Sequence, residues 1–149
     1  MPEAVYVAAL GASTPVGRDA WSSAAAVRAG ISGFAEHPYM VDAAGEPMRV
    51  ALAPWLDIEC AGLDRFEALL LPAIEQALEP LAAPQARDLR VALALGLPFS
   101  RPGLVPDLDG LLRATIASRL PNRFVALATF PVGHAGGLLG LHAAWRKLA

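Results

Sequence analysis

Cysteine occurs once among these 149 residues, at Cys60, so no internal disulfide can form, and no group of cysteine and histidine has the spacing of a zinc site. A lone thiol fits a reducing, cytoplasmic setting. Charge is scarce as well: 17% of the residues are Asp, Glu, Lys or Arg, where about 25% is usual for a soluble domain. The formal net charge of -2 supplies no basic field, which argues against nucleic acid and anionic lipid as ligands. Long uninterrupted apolar runs are missing. The opening segment Val5 to Leu10 meets Gly11 far short of the ~20 residues a membrane span needs, and the acid Glu3 stands where a secretory signal carries basic residues. Phe124 to Trp145 contains no charged residue and has the length of a span. Pro131, Gly133, Gly136, Gly137, Gly140 and two histidines interrupt it, so it reads as strand, turn and helix. Neither an export signal nor a membrane span is expected.

What is present is apolar bulk. The hydrophobic fraction is 55% and the mean hydropathy +0.43, against about 45 to 50% apolar residues in ordinary domains. A chain of this length buries a core without metal or disulfide, and one compact domain, residues 1–149, is the default reading. Part of the apolar excess is expected to face a partner chain.

Periodicity orders the segments. Val5 to Leu10 reads as a β-rich strand that ends in the loop Gly11 to Gly17; Asp19 can cap a helix over Ala20 to Arg28, closed by Gly30. Residues 31–45 read as irregular, and Met48 to Ala53 as a second strand. Apolar residues recur at three and four positions from Asp64 to Leu81, which predicts a helix that Pro72 kinks or begins. Val91 to Leu97 is a continuous apolar run of the kind buried on both faces of a parallel sheet. Asp107 or Asp109 can cap the next helix, through Leu111, Leu112, Ile116 and Leu120. Phe124 to Phe130 reads as the last strand and Gly136 to Leu148 as the last helix. Strands alternating with helices predict an α/β fold with a mostly parallel sheet.

Several residue groups are candidates for chemistry. His134, at a strand-to-helix turn, has the place of a general base kept neutral by a helix N-terminus, or it fills space. His142 follows eight residues later, about 80° round an ideal helix, too far for an i, i+4 metal pair. Gly133 to Gly137 has exposed amides at a helix start, as an anion cradle does, but lacks the lysine of a P-loop; glycines that permit a sharp turn and close packing are the simpler reading. Asp107 and Asp109 are simplest as caps, and Cys60 as an incidental thiol. Trp145, beside Arg146 and Lys147, is a candidate for partner contact.

Taken in order, Val5 to Gly17 with its Gly11 and Thr14-Pro15-Val16-Gly17 turn, then Trp21, then Ala29-Gly-Ile-Ser-Gly-Phe34 resemble the opening of a β-ketoacyl synthase of the thiolase superfamily. Arg65 to Leu69 with Glu75 to Leu78 resembles that family's long helix, and Arg90 to Gly96 the strand after it. Pro131-Val-Gly-His-Ala-Gly-Gly-Leu-Leu-Gly-Leu-His-Ala-Ala144 resembles its nucleophile turn without a gap. That register puts His134 at the catalytic cysteine and His142 at the helix histidine, and makes Gly133, Ala135, Gly136 and Gly137 the turn and oxyanion-like positions.

The resemblance implies a thiolase-like half-domain, with Gly11, Thr14, Pro15, Gly17, Trp21 and His142 as structural positions and Trp21 in the core. It also implies loss of condensing activity. A cysteine at a helix N-terminus is favoured as thiolate and accepts the acyl group, whereas imidazole there does not readily hold a stable acyl intermediate. The family's two other catalytic histidines belong to its second half, beyond Ala149. No catalytic residue, metal or cofactor is therefore expected. A homodimer, or a heteromer with a ketosynthase or thiolase-like chain, is the implied assembly. A subunit of an active ketosynthase complex in fatty-acid or polyketide synthesis, or an adaptor for a secreted effector, is the alternative.

Overall fold

The computed structural model describes residues 4–86 and 88–148, which fall into two compact units. The first is Ala9–Glu79; the second runs from Pro80 onward and includes the residues ahead of Ala9. The architecture is mixed α/β with two small sheets, one antiparallel and one parallel. The mostly parallel sheet expected from the alternation of elements is therefore present only as a single parallel pair.

In the first unit, helix α1 spans Ala20–Arg28. Asp19 caps it as expected: its carboxylate accepts from the Ser22 N–H at 2.8 Å, and Ser22 Oγ accepts from the Asp19 N–H, a reciprocal capping box. The Ser22 N–H bond, foremost, holds the Asp19 carboxyl below its ordinary range. Gly30 ends the helix at φ +71°, while Gly30 N–H bonds Val27 O and Ile31 N–H bonds Ala26 O. This is the left-handed glycine stop that the sequence indicated.

Residues 31–45 are not irregular. They hold strand β1, Phe34–Val41, paired antiparallel with β2, Pro47–Ala51, through a turn at Asp42 to Glu46 in which Gly45 takes φ +87°. The His37-Pro38 step hides the strand, since proline cannot donate to a ladder. A register break between Glu36 and Val41 accommodates it, and His37 Nδ1 accepts the N–H groups of Tyr39 and Met40. Helix α2, Gly62–Leu78, holds Pro72 inside it, so that residue does not begin the helix. The buried apolar residues of this unit are Ala26, Ala53 and Ile74.

In the second unit, β3 (Ala92–Gly96) pairs parallel with β4 (Ala126–Phe130), in register from Ala92 opposite Ala126 to Gly96 opposite Phe130. Helix α3, Leu108–Arg119, lies between them in sequence, and α4, Gly136–Leu148, follows β4. Asp107 caps α3 from a left-handed conformation, φ 51°, accepting from Gly110 N–H at 3.2 Å. Asp109 has a different task, described below. Two expectations fail here. The run Val91 to Leu97 alternates, with Leu95 buried and Ala92, Ala94 and Gly96 exposed, because successive side chains point to opposite faces and this two-stranded sheet is not fully covered on both. The opening segment Val5 to Leu10 forms no strand: β-branched and aromatic residues favour strands only when a neighbour supplies the ladder, and Tyr6 stays 84% exposed. No helix among the described residues is long and apolar enough to cross a membrane.

Candidate functional site

The strand, turn and helix around His134 form as the sequence predicts. β4 ends at Phe130, and Leu97 N–H and Val132 N–H both bond its carbonyl, at 3.0 and 2.9 Å. The chain then reverses at Gly133, whose φ of +64° is strained for any side chain, and whose N–H bonds Leu97 O at 3.0 Å. A Cβ at Gly133 would also stand 2.6 Å from the Phe99 ring. One 3-10 turn, Gly133–Ala135, leads into α4. His134 thus sits immediately before the helix start.

Glycine sets how closely α4 approaches the sheet. Gly136 is buried, and a Cβ there would fall 2.6 Å from Phe130 O and 3.0 Å from Gly96 Cα. Gly96 answers from the strand: a Cβ on it would meet Gly137 N at 2.5 Å. Gly140 is buried over Ala94 and Phe130 at ordinary contact distance. Gly137 faces open space, so neither turn nor packing requires it. The reading of Gly133 to Gly137 as a sharp turn with close packing therefore fits Gly133 and Gly136 but not Gly137.

Chemically, the turn holds an exposed imidazole and little else. Acid–base or nucleophilic work needs a second group to orient or receive the proton. His134 makes no hydrogen bond or ion pair with any described residue. His142 is exposed too, with its ring edge-on to Trp145 at 6.5 Å. Its side of α4 faces away from the sheet, so the contact it makes is with Trp145 of the same helix. No group of three metal-ligating side chains occurs among the described residues.

The other family-matching positions cluster in the first unit. Thr14 and Gly17 exchange backbone bonds of 2.8 and 3.2 Å across Pro15 and Val16, forming a tight turn. Thr14 Oγ1 also bonds the buried Ser23 Oγ of α1 at 2.8 Å, and Gly17 lies against Ser23. Gly11 packs on the Ala73 carbonyl of α2, where no Cβ fits. Gln76 Oε1 accepts from Ala12 N–H and Ala20 N–H, fastening loop and helix to α2. The structure brings Gly11, Thr14, Pro15 and Gly17 together. Trp21 is different: at 80% exposed it is no core residue, because the face of α1 that carries Ser23 and Ala26 is the one turned inward.

Three features escaped the sequence reading. One is the β1–β2 hairpin. A second is a polar lock in which Asp109 accepts from Arg113 Nε at 2.7 Å and from Thr129 Oγ1 at 2.9 Å, while Arg113 reaches Thr129 and the Leu127 carbonyl at 3.1 Å. The i, i+4 spacing of Asp109 and Arg113 was the available signal. The third is the stack of Arg18 on Trp55, 5.2 Å from guanidinium to ring centroid, with the indole N–H bonded to Thr14 O at 3.3 Å. Nothing in the spacing of those two residues announced it. No family model matches this chain, and neither curated proteins nor solved structures show one similar to it.

Proposed function

We propose that this chain is a non-catalytic, β-ketoacyl-synthase-like subunit of thiolase-like half-domain architecture, acting by association with a larger synthase-like chain through the outer face of α4. The observation that carries this reading is the distribution of apolar side chains round that helix. Gly136 and Gly140 lie against the sheet. At 100° per residue, Leu138, Leu141 and Trp145 stand on the opposite side, 72%, 68% and 53% exposed. A helix that is apolar on both faces is a middle-layer helix, buried from two directions when its assembly is complete. Asp, Glu, Lys and Arg are absent from residues 124–145, so desolvating this face leaves no unpaired charge. The isolated His134 supports the non-catalytic part.

The test is a native pull-down with the tagged wild-type chain and with Leu138→Asp/Leu141→Asp. Capture of a synthase-like chain by wild type and its loss in the variant is the expected result. A chain that captures no such partner and scatters light as a monomer at micromolar concentration refutes the binding role. For the chemistry, exposure to acyl thioesters should add no mass at His134; a stable acyl adduct there refutes the non-catalytic reading.

A further inference from the structure

The Arg18–Trp55 stack stands at a groove of about 610 Å³, wholly within the first unit. Its walls are apolar: Val16, Ile31, Phe34, Leu52 and Pro54 line it, and Ile31 and Phe34 lie largely in water. The polar groups that border it are already engaged. Ser32 Oγ accepts from Phe34 N–H, Ser22 Oγ donates to Asp19 O, and the Asp19 carboxylate is turned to the amides of α1. Arg18 is the exception. Its guanidinium lies over the fixed indole but makes no hydrogen bond or ion pair with any described residue. Stacking occupies one face of the planar group and leaves its N–H edge free, the edge that takes a carboxylate in a two-pronged bond.

We propose that this groove binds a medium-chain amphipathic carboxylate, with its alkyl chain along Ile31, Phe34 and Leu52 and its head group on Arg18. Charge complementarity fixes the head, since Arg18 makes no ion pair with any described residue and the groove's one carboxylate, Asp19, is held by the amides of α1. The tail follows from the lining. A peptide in this groove would bring an N–H and a C=O at every residue, each needing a partner, and the side chains of Val16, Ile31, Leu52 and Pro54 offer none. An alkyl chain has no such need, and it removes from water the surface that Ile31 and Phe34 now expose. The volume lies within the range of small-molecule sites. The inference is independent of the role proposed for α4.

Fluorescence tests it directly. With Trp21→Phe and Trp145→Phe, both exposed positions, Trp55 becomes the sole indole and reports on the groove. Decanoate added below its micelle concentration should shift the Trp55 emission saturably. Decanol, with the same chain and no charge, should bind at least about tenfold more weakly, as should acetate. Arg18→Gln should weaken decanoate about tenfold, with Arg18→Lys intermediate because it keeps charge but loses the planar fork. Ile31→Gln, on the exposed wall, should also weaken it and serves as the reading if Arg18→Gln does not fold. Decanol binding as tightly as decanoate overturns the proposal. So does unchanged affinity in Arg18→Gln or Ile31→Gln, or a free-carboxylate leucyl peptide that displaces decanoate at lower concentration.

Discussion

Helices α3 and α4 belong to the same unit, yet they solve the problem of an apolar stripe in opposite ways. α3 turns Leu108, Leu112 and Ile116 inward, the last two at 1% exposure, and keeps Asp109 and Arg113 for a lock on β4. Of its larger apolar residues only Leu111 is exposed. α4 approaches the sheet through glycine and so buries little side-chain surface there, while its larger residues Leu138, Leu141 and Trp145 point outward. Composition alone ranks α4 as the more apolar helix. Burial shows that α3 supplies most of the core, and that the larger apolar side chains of α4 lie in water on the side away from the sheet.

The comparison is sharpest where the expected effects are largest. Ile116→Ala removes a fully buried branched side chain, so it should cost about 2 to 5 kcal/mol, read as a fall in the urea midpoint. A loss under about 1 kcal/mol would mean that α3 does not anchor the unit. On α4 the sensitive positions are glycines. Gly136→Ala drives a methyl toward Phe130 O and Gly96, where backbone must shift, and should cost about 1 to 3 kcal/mol. Its neighbour is the control. Gly137→Ala meets no atom within 4 Å and sits in the helix, so it should gain up to about 1 kcal/mol. If both substitutions move the thermal midpoint in the same direction, close approach of α4 to the sheet is not what selects glycine.

The lock between α3 and β4 comes next in size. Thr129→Val keeps the shape of the residue and removes the hydroxyl that donates to Asp109 and receives Arg113. About 1 kcal/mol should be lost, as for one partly buried hydrogen-bond group. The Asp109–Arg113 ion pair itself is two-fifths exposed on each side and adds only a few tenths. Arg113→Met should therefore cost little more than Thr129→Val, and a much larger loss would show that the Leu127 carbonyl depends on Arg113.

How much of this was legible in the sequence depends on whether the signal was local. Asp19 with Ser22, Gly30, and Pro131 to Gly137 state their conformations in neighbouring residues, so the cap, the stop and the strand-turn-helix were readable at once. Asp107 was readable as a cap, though not its left-handed backbone. Val5 to Leu10 and Val91 to Leu97 carry the composition of strands, but strand formation and burial depend on which neighbours pair, and that information is not in the segment. Trp21 followed the resemblance into the core, whereas the pattern around it, Ser23 and Ala26 on one side, placed it outside. The Arg18–Trp55 stack joins residues 37 positions apart and has no local trace.

The smallest expected effect is the most discriminating. Leu141→Ser replaces a large apolar residue on a helix, a change that costs 2 kcal/mol or more at a buried site. At 68% exposure the side chain already meets water in the isolated chain, so little transfer free energy is lost and no cavity forms. Serine is the weaker helix former by a few tenths of a kcal/mol, and no other loss is expected. The purified protein should therefore keep its urea midpoint to within about 0.5 kcal/mol, the range of an ordinary surface substitution. Loss at the level expected for Ile116→Ala would mean that the outer face of α4 is packed within the chain itself, and α4 would then resemble α3 rather than oppose it. Unchanged stability separates folding from association, so that any loss of partner capture on this face measures the interface alone.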